Sequence, residues 1–591
     1  ATFSFTMEKD EQIFGLGQHQ TGNLNKKPGK YNFRHYQSET TIPFFISSKT
    51  YGFLWNVPSM GHVTLDDNRI QWFTESAMVI DYVVSVAEKG DFRTLMKTHS
   101  SLTGRAPSFP KYGRGYIQSK TTYINQNEVS RVAEGFKKHK IPVSMIQIDA
   151  PHWRAFGDFA FDRLKFPDLA LLVETVRKLT NGARIIASIW PLMEPSSENW
   201  LDYLSSGLVA GSTQGTGVVE FFNGTAMHLL DYTNPMTRNK TWSKIIDNYY
   251  NIGIRDFLLD CTEGGGVGEG FSFKTITMYP LQVVPYPRPN FIYSLGTQSE
   301  IGAIFPFYAQ KMVYDGLATL DIQPGHHEED KGISFSRSAW LGSQRFSSVL
   351  WNGDVDGSWE AFRAQITAGL NVQLAGIPWW ASDIGGYYAQ TEYHGNISDP
   401  QYQELYVRWL QYGTFSPVMR AHGRRKCLPK DQDGFDSCPN EPWSFGEAVF
   451  PHIKRFIHLR YTMDLYIKAL FEEASSFGTP LQRPLFFDFA TVDLYTIMYA
   501  EELKNQFMFG PNLLVAPITV PGPSEWRVYL PVDTIHKEQN NGSAKTTVWR
   551  DWWSDEIHYG GRFVTLSVSM ARIPLFYRRS KEDLLAGRII G

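Results

Sequence analysis

The sequence predicts an α/β protein, a (β/α)8 TIM barrel flanked by an N-terminal β-sandwich domain and a C-terminal β domain. Three observations predict it. Eight short apolar runs recur between residues 113 and 422 with amphipathic stretches between them, which is the rhythm of parallel strands and covering helices. Several of those runs stop on an acid, a base or a tryptophan, as barrel strands do where they open onto the C-terminal face. On both flanks the pattern changes to alternating segments broken by Gly and Pro, the habit of antiparallel sheets.

Residues 1–105 carry alternating segments such as Thr41-Ile-Pro-Phe-Phe-Ile-Ser-Ser and Met78-Val-Ile-Asp-Tyr-Val-Val-Ser-Val, and are expected to form the sandwich. After a break at Gly104-Arg-Ala-Pro-Ser-Phe-Pro-Lys, the barrel is expected over 106–474. Its strands are read at 113–118, 144–149, 184–190, 254–260, 332–337, 347–354, 372–383 and 417–422. Glu128-Val-Ser-Arg-Val-Ala-Glu-Gly-Phe-Lys-Lys-His is one amphipathic helix between them. The largest insertion follows strand four, where Gly264-Gly-Gly-Val-Gly-Glu-Gly starts a loop able to wall a pocket. A helical stretch over 447–473 closes the barrel. Residues 475–591 return to strands, among them Asn512-Leu-Leu-Val-Ala-Pro-Ile, Trp526-Arg-Val-Tyr-Leu-Pro and Arg562-Phe-Val-Thr-Leu-Ser-Val.

The chain has 591 residues, too many for one ordinary domain. Its 57 basic and 60 acidic side chains leave a net charge of -3, so no overall field attracts nucleic acid or an anionic membrane. No apolar stretch reaches the roughly 18 residues a spanning helix needs. Three cysteines are too few for a disulfide scaffold. Cys427 and Cys438 can pair around a loop, and Cys261 is expected to be a small buried side chain. Asn-x-Ser/Thr sequons at Asn223, Asn239, Asn396 and Asn541 mildly favour a glycoprotein that is secreted or sits in the secretory-pathway lumen, although no signal peptide opens the sequence.

The strand ends converge Gln118, Asp149, Trp190, Asp260, Arg337, Asp354, Asp383 and His422 on one rim. A single strand-end aspartate often caps the next helix. Four carboxylates with a guanidinium and an imidazole in one mouth are too polar for that reading to cover them all. Retaining glycosidases need two carboxyl groups about 5–5.5 Å apart, and alternate strands of a barrel share a layer, so Asp260 of strand four and Asp354 of strand six can meet. Arg337 would keep one of them ionised, while burial or a neighbouring negative charge keeps the proton on the other. Asp149, Asp383 and His422 would bind sugar hydroxyls. Trp190 and Trp351 would line the pocket, and of the five tryptophans near these strand ends, with Trp153, Trp379 and Trp380, at least half should be packing. The His326-His-Glu-Glu-Asp330 cluster reads as a solvated loop, so neither metal nor cofactor is expected.

These residues resemble glycoside hydrolase family 31, the retaining α-glycosidases. The resemblance spans Phe14-Gly-Leu-Gly, Gln118-Ser-Lys, Ile141-Pro-Val, Asp260-Cys-Thr-Glu263, Arg337-Ser-Ala-Trp, Trp351-Asn-Gly-Asp354, Ala368-Gly-Leu-Asn, Ser382-Asp-Ile-Gly-Gly, Arg420-Ala-His422-Gly, Arg483-Pro-Leu-Phe-Phe and Leu514-Val-Ala-Pro. It implies Asp260 as nucleophile, Asp354 as acid/base, and Asp149 as the strand-two aspartate that contacts O4 and O6. It also implies a truncated or compact member that begins inside the family's N-terminal domain and ends before its distal β domain. Cys261 and Thr262 stand where many α-glucosidases of the family have Met-Asn. Asp149 is followed by Ala-Pro-His-Trp and then Gly157-Asp-Phe-Ala-Phe-Asp, which resembles the xylosidase-like bacterial branch. The implied activity is exo-acting release of a terminal α-linked sugar, glucose first, galactose or xylose next. The alternative is an inactive relative that binds sugar or a protein partner.

Overall fold

The computed structural model describes residues 1–588 except 214, 216–218, 223–224, 266–290, 322–330, 390–392, 394–395, 426–437 and 533–547. Most of the glycine-rich loop after strand four, the 326–330 cluster, Cys427, Asn223 and Asn541 therefore lie outside the described residues. Cys438 is disulfide-bonded, and Cys261 is free and buried.

Eight parallel strands close the barrel in chain order: Tyr116–Lys120, Met145–Ile148, Arg184–Ile189, Asp256–Leu259, Ser334–Ser336, Ser348–Trp351, Trp380–Ile384 and Val418–Ala421. All eight runs read from the sequence supply a strand, and two of them need correction. The first strand begins only at Tyr116, after a 3-10 turn at Lys111–Arg114, and runs on to Lys120, which leaves Gln118 inside the strand. Residues 372–374 of the seventh run belong to the helix Trp359–Leu374, and the strand starts at Trp380. That helix is buried almost all round, so its last turn carries the same unbroken apolar run as a buried strand.

The covering helices follow their local signals. Gln126–His139 is capped by Asn125, whose side chain accepts from Glu128 N, and it buries Val129, Val132, Ala133 and Phe136 against the barrel. Asp168, Ser358 and Asp399 cap Leu169–Thr180, Trp359–Leu374 and Pro400–Thr414 in the same way.

Two four-stranded sheets precede the barrel. One orders Thr2–Thr6, Arg69–Thr74, Gly61–Leu65 and Gly29–Asn32; the other orders Ile13–Gln18, Thr40–Ser47, Tyr51–Trp55 and Tyr82–Val86. Stacked rings of Phe33, Phe45, Phe53, Trp55 and Trp72 fill the space around them. The Phe14-Gly-Leu-Gly motif sits at a bulge between Ile13–Gln18 and Thr40–Ser47. Gly17 has φ +95° and an added Cβ would overlap the carbonyl of Thr40, so only glycine fits. Gly15 N donates to Asn371 Oδ1 at 2.8 Å, which fastens this sheet to the helix Trp359–Leu374 of the barrel.

After the helices Phe450–Thr462 and Asp464–Phe477, a six-stranded sheet and the pair Glu525–Leu530 with Arg562–Ser567 make the C-terminal part. No described helix is long and apolar enough to cross a membrane.

Candidate active site

Asp260 follows strand four and heads a turn in which Cys261 adopts φ 55°. Cys261 N donates to Asp260 Oδ1 at 2.8 Å, while Thr262 Oγ1 lies 3.1 and 3.0 Å from the hydroxyls of Ser336 and Ser338. The turn is thus tied to strand five. Arg337, just past that strand, places Nη1 3.2 Å from Asp260 Oδ1, donates from Nε to Glu263, and lies 3.3 Å from the Cys261 sulfur. Both carboxylates keep this buried guanidinium charged, against its own desolvation.

Asp354 comes from strand six through Asn352 and Gly353. Asn352 Oδ1 accepts from Asp383 N at 2.9 Å, which locks this turn to strand seven. Asp354 forms no ion pair among the described residues; its Oδ2 accepts from Gln37 Nε2, an amide of the N-terminal sheets. Asp383 is fully buried and paired through Oδ1 with Arg420 Nη1. Its Oδ2 is buried and has no hydrogen-bond partner among the described residues.

Asp149 ends strand two. Its Oδ1 accepts from Ala150 N at 2.8 Å and its Oδ2 from Gln147 Nε2 at 3.0 Å. His422 Nε2 lies 3.6 Å from the same oxygen and His422 Nδ1 2.7 Å from Ser119 Oγ. Burial, reinforced by Arg420 and Arg425, pushes the imidazole well below its usual range, so it is neutral.

The carboxyl groups differ in what surrounds them. Asp260 and Asp354 are partly exposed, whereas Asp149 and Asp383 are buried. Burial pushes Asp354 far above the ordinary carboxylate range; Arg337 opposes this, and the charges of Asp260, Asp383 and Asp149 add to it. Burial also raises Asp260, but Arg337, the Cys261 amide and Arg420 all favour its ionised form. Burial lifts Asp149 to about 7, with Asp260 adding and Arg420 opposing, and lifts Asp383 to about 6 against Arg420 and Arg425. The arrangement holds one carboxyl beside a cation and another among acids, the pairing that splits base from acid in one cleft.

The structure brings Asp149, Asp260, Arg337, Asp354, Asp383 and His422 together as the sequence reading expects. Trp190 also belongs, since its Nε1 donates to Ser188 Oγ at 3.2 Å and Ser188 in turn bonds Asp149. Trp351 is buried beneath the site, its ring facing the Arg420 guanidinium at 5.4 Å. Gln118 is the exception to the expected rim. It is bonded to Asn440 and Tyr116 on the face turned to the covering helices, where Tyr116 packs on Phe136 and Lys120 pairs with Glu128, while alternation along the strand gives the rim side to Ser119, which meets His422. Trp379 packs on Phe109 and Phe471, and Trp380 Nε1 bonds Gln18, so both are packing. Arg420, Glu263 and Gln37 were not assigned roles. Arg420 was legible in principle, because it lies two positions before His422 and shares its face. Glu263 stands inside the same turn as Asp260, and for Gln37 no local signal exists.

Family models cover most of the chain: "Glycosyl hydrolase 31 N-terminal galactose mutarotase-like domain" over 1–63, "Glycosyl hydrolases family 31 TIM-barrel domain" over 106–469, and "Glycosyl hydrolase family 31 C-terminal domain" over 478–581. Alpha-xylosidase A of Aspergillus niger is 38% identical over 596 residues, covering 100% of this chain and 79% of its own. An alpha-xylosidase of Saccharolobus solfataricus is 33% identical, with 99% and 71% covered. A solved xylosidase structure from Aspergillus niger superposes with a TM-score of 0.91 at 38% identity, covering 100% of this chain and 81% of that one. With three family models in order and a barrel whose strand ends carry the expected carboxylates, the chain belongs to glycoside hydrolase family 31 and is an O-glycosyl hydrolase.

Proposed function

We propose that this enzyme is a retaining exo-α-glycosidase that releases a terminal α-xylosyl residue, with Asp260 as nucleophile and Asp354 as general acid and base. The observation that carries the division of roles is the position of Arg337. It touches Asp260 directly, and Asp354 has no ion pair among the described residues. In the first step the Asp260 carboxylate attacks the anomeric carbon, the glycosidic C–O bond breaks, and the Asp354 proton goes to the departing oxygen. Asp354, now ionised, then takes a proton from water, whose oxygen displaces Asp260 and restores the α configuration. Asp383 and Asp149 accept hydroxyl hydrogens of the same ring, and neutral His422 stands beside Asp149.

The sequence reading ranks glucose ahead of xylose. Two features favour xylose. The two relatives named above are α-xylosidases, and the rings of Trp153, Phe156 and Trp190 pack together behind Ser188 and Asp149. A pentose has no hydroxymethyl group to place against such a wall. Hydrolysis of nitrophenyl α-xyloside, α-glucoside and α-galactoside, followed by proton NMR of the first sugar formed, tests the proposal. The highest kcat/KM should fall on the xyloside, with α-xylose as the first product. A clear preference for glucoside or galactoside would replace the sugar, and β-xylose as first product would replace the mechanism.

A further inference from the structure

The N-terminal sheets reach the catalytic carboxyl. Between the strands Gly29–Asn32 and Thr40–Ser47 the chain turns at 36–39, where Tyr36 and Glu39 exchange backbone hydrogen bonds of 3.0 and 3.3 Å. Four contacts fix this turn on the barrel. Gln20 Nε2 donates to Ser38 O at 2.8 Å, and Gln20 is itself bonded by Gln365 of the barrel at 2.6 Å. His35 lies 2.8 Å from Ala303 O, and Thr40 Oγ1 donates to Arg337 O at 3.1 Å. The backbones also meet: Gly353 has φ +68°, and an added Cβ there would overlap the carbonyl oxygen of Gln37. Asp354 is therefore presented by a segment pressed against the turn that carries Gln37.

We infer that Gln37 is a positioning residue for the acid/base group, its side-chain amide holding one Asp354 oxygen so that the transferable proton sits on the other. The inference rests on the reading of Asp354 as acid and base. Nε2 can only donate, and it donates to Oδ2. The Oδ2 lone pair it occupies is closed to a proton, which leaves Oδ1 to carry the hydrogen towards the leaving oxygen. The same amide steadies the ionised carboxylate after the proton has gone. Around Asp354 the other charged groups are Arg337, Asp260, Asp383 and Asp149, and Gln37 is the neutral partner among them. Gln37 is half-buried on a turn, so its replacement leaves the cores intact.

The test uses the whole chain carrying Gln37→Met, which keeps the length and loses the donor, and Gln37→Ala as a second variant. kcat/KM is measured across pH with two substrates of the preferred sugar. One is a glycosyl fluoride, which needs little protonation to leave; the other is an unactivated disaccharide. Both variants should lose at least about tenfold on the disaccharide while staying within about twofold on the fluoride. The alkaline limb of the disaccharide profile should move up by about one pH unit, because a bond to the ionised form is lost. An equal loss on both substrates, unchanged kinetics, or an alkaline limb that moves down would overturn the inference. Asp354→Asn separates it from the reading beneath: if that variant loses both substrates equally, the acid assignment fails and this inference with it. If Asp354→Asn discriminates between the substrates and Gln37→Met does not, only the role of Gln37 falls.

Discussion

In the proposed mechanism Arg337 decides which of two aspartates attacks. Its guanidinium lies 3.2 Å from Asp260 and is shared with Glu263, so removing it leaves Asp260 and Glu263 without their common cation. Arg337→Met should push Asp260 further up, moving the acid limb of kcat/KM to higher pH, since the nucleophile must be ionised to attack. The same change should cost kcat about a hundredfold, the scale of loss when a reacting group is no longer held in line; both effects are read from one pH–rate series. Arg337→Lys should recover only part, because an ammonium cannot span both carboxylates as the planar fork does. At this scale much was legible in the sequence. Asp260, Asp354 and Asp149 each follow a short, mainly apolar run, and the end of a buried strand is a place where an acid needs a reason. Gln37 was illegible because its partner lies 317 positions away and only the fold brings them together.

In the proposed function the elements that shape the sugar pocket are the loop after strand two and the end of strand three. Trp153 and Phe156 come from the loop and Trp190 from the strand end, with ring centroids 5.0 to 6.2 Å apart. In the proposed binding mode they bound the side of the ring where a hexose carries its hydroxymethyl. Trp153→Ala should therefore narrow the xyloside-over-glucoside preference by about tenfold in kcat/KM, on the scale of one or two methylenes of pocket space. A ratio that stays constant while both rates fall would assign Trp153 to packing alone. Element boundaries were less legible than element types. Parallel strands buried on both faces read as continuous apolar runs, and so does a helix wedged between barrel and flanking sheets. The seventh run thus merged the last turn of Trp359–Leu374 with Trp380–Ile384.

For the whole molecule, the flanking sheets are structural partners of the barrel as well as coverings. A partly buried charge cluster joins three regions. Arg483 Nη2 pairs with Glu473 at 2.5 Å and Arg93 Nη2 with Asp488 at 2.7 Å, linking the C-terminal sheet, the helix Asp464–Phe477 and the helix Phe92–Thr103. Although burial pushes Asp488 up, Arg483, Arg93 and Arg578 together hold it below the ordinary carboxylate range. A depressed carboxylate stabilises the fold above its unfolded value of about 3.9 and loses that contribution as pH falls through the lower folded value. Asp488→Ala should cost about 3 kcal/mol near neutral pH, read from urea unfolding, and the difference from the parent should shrink at strongly acidic pH. The order of sheet, barrel and sheet was legible because hydrophobic periodicity changes at each passage. The cluster was not, because its members are scattered between 93 and 488 and no single stretch betrays their meeting.

In the proposed mechanism Asp260 becomes covalently attached to the sugar while Asp354 handles the proton. A fluorinated xylosyl fluoride, which forms the ester quickly and releases it slowly, followed by proteolysis and peptide mass spectrometry, tests this most directly. The account predicts one added sugar per chain on the peptide that contains Asp260. A label on Asp354, or turnover with no covalent species and inverted product, would contradict it.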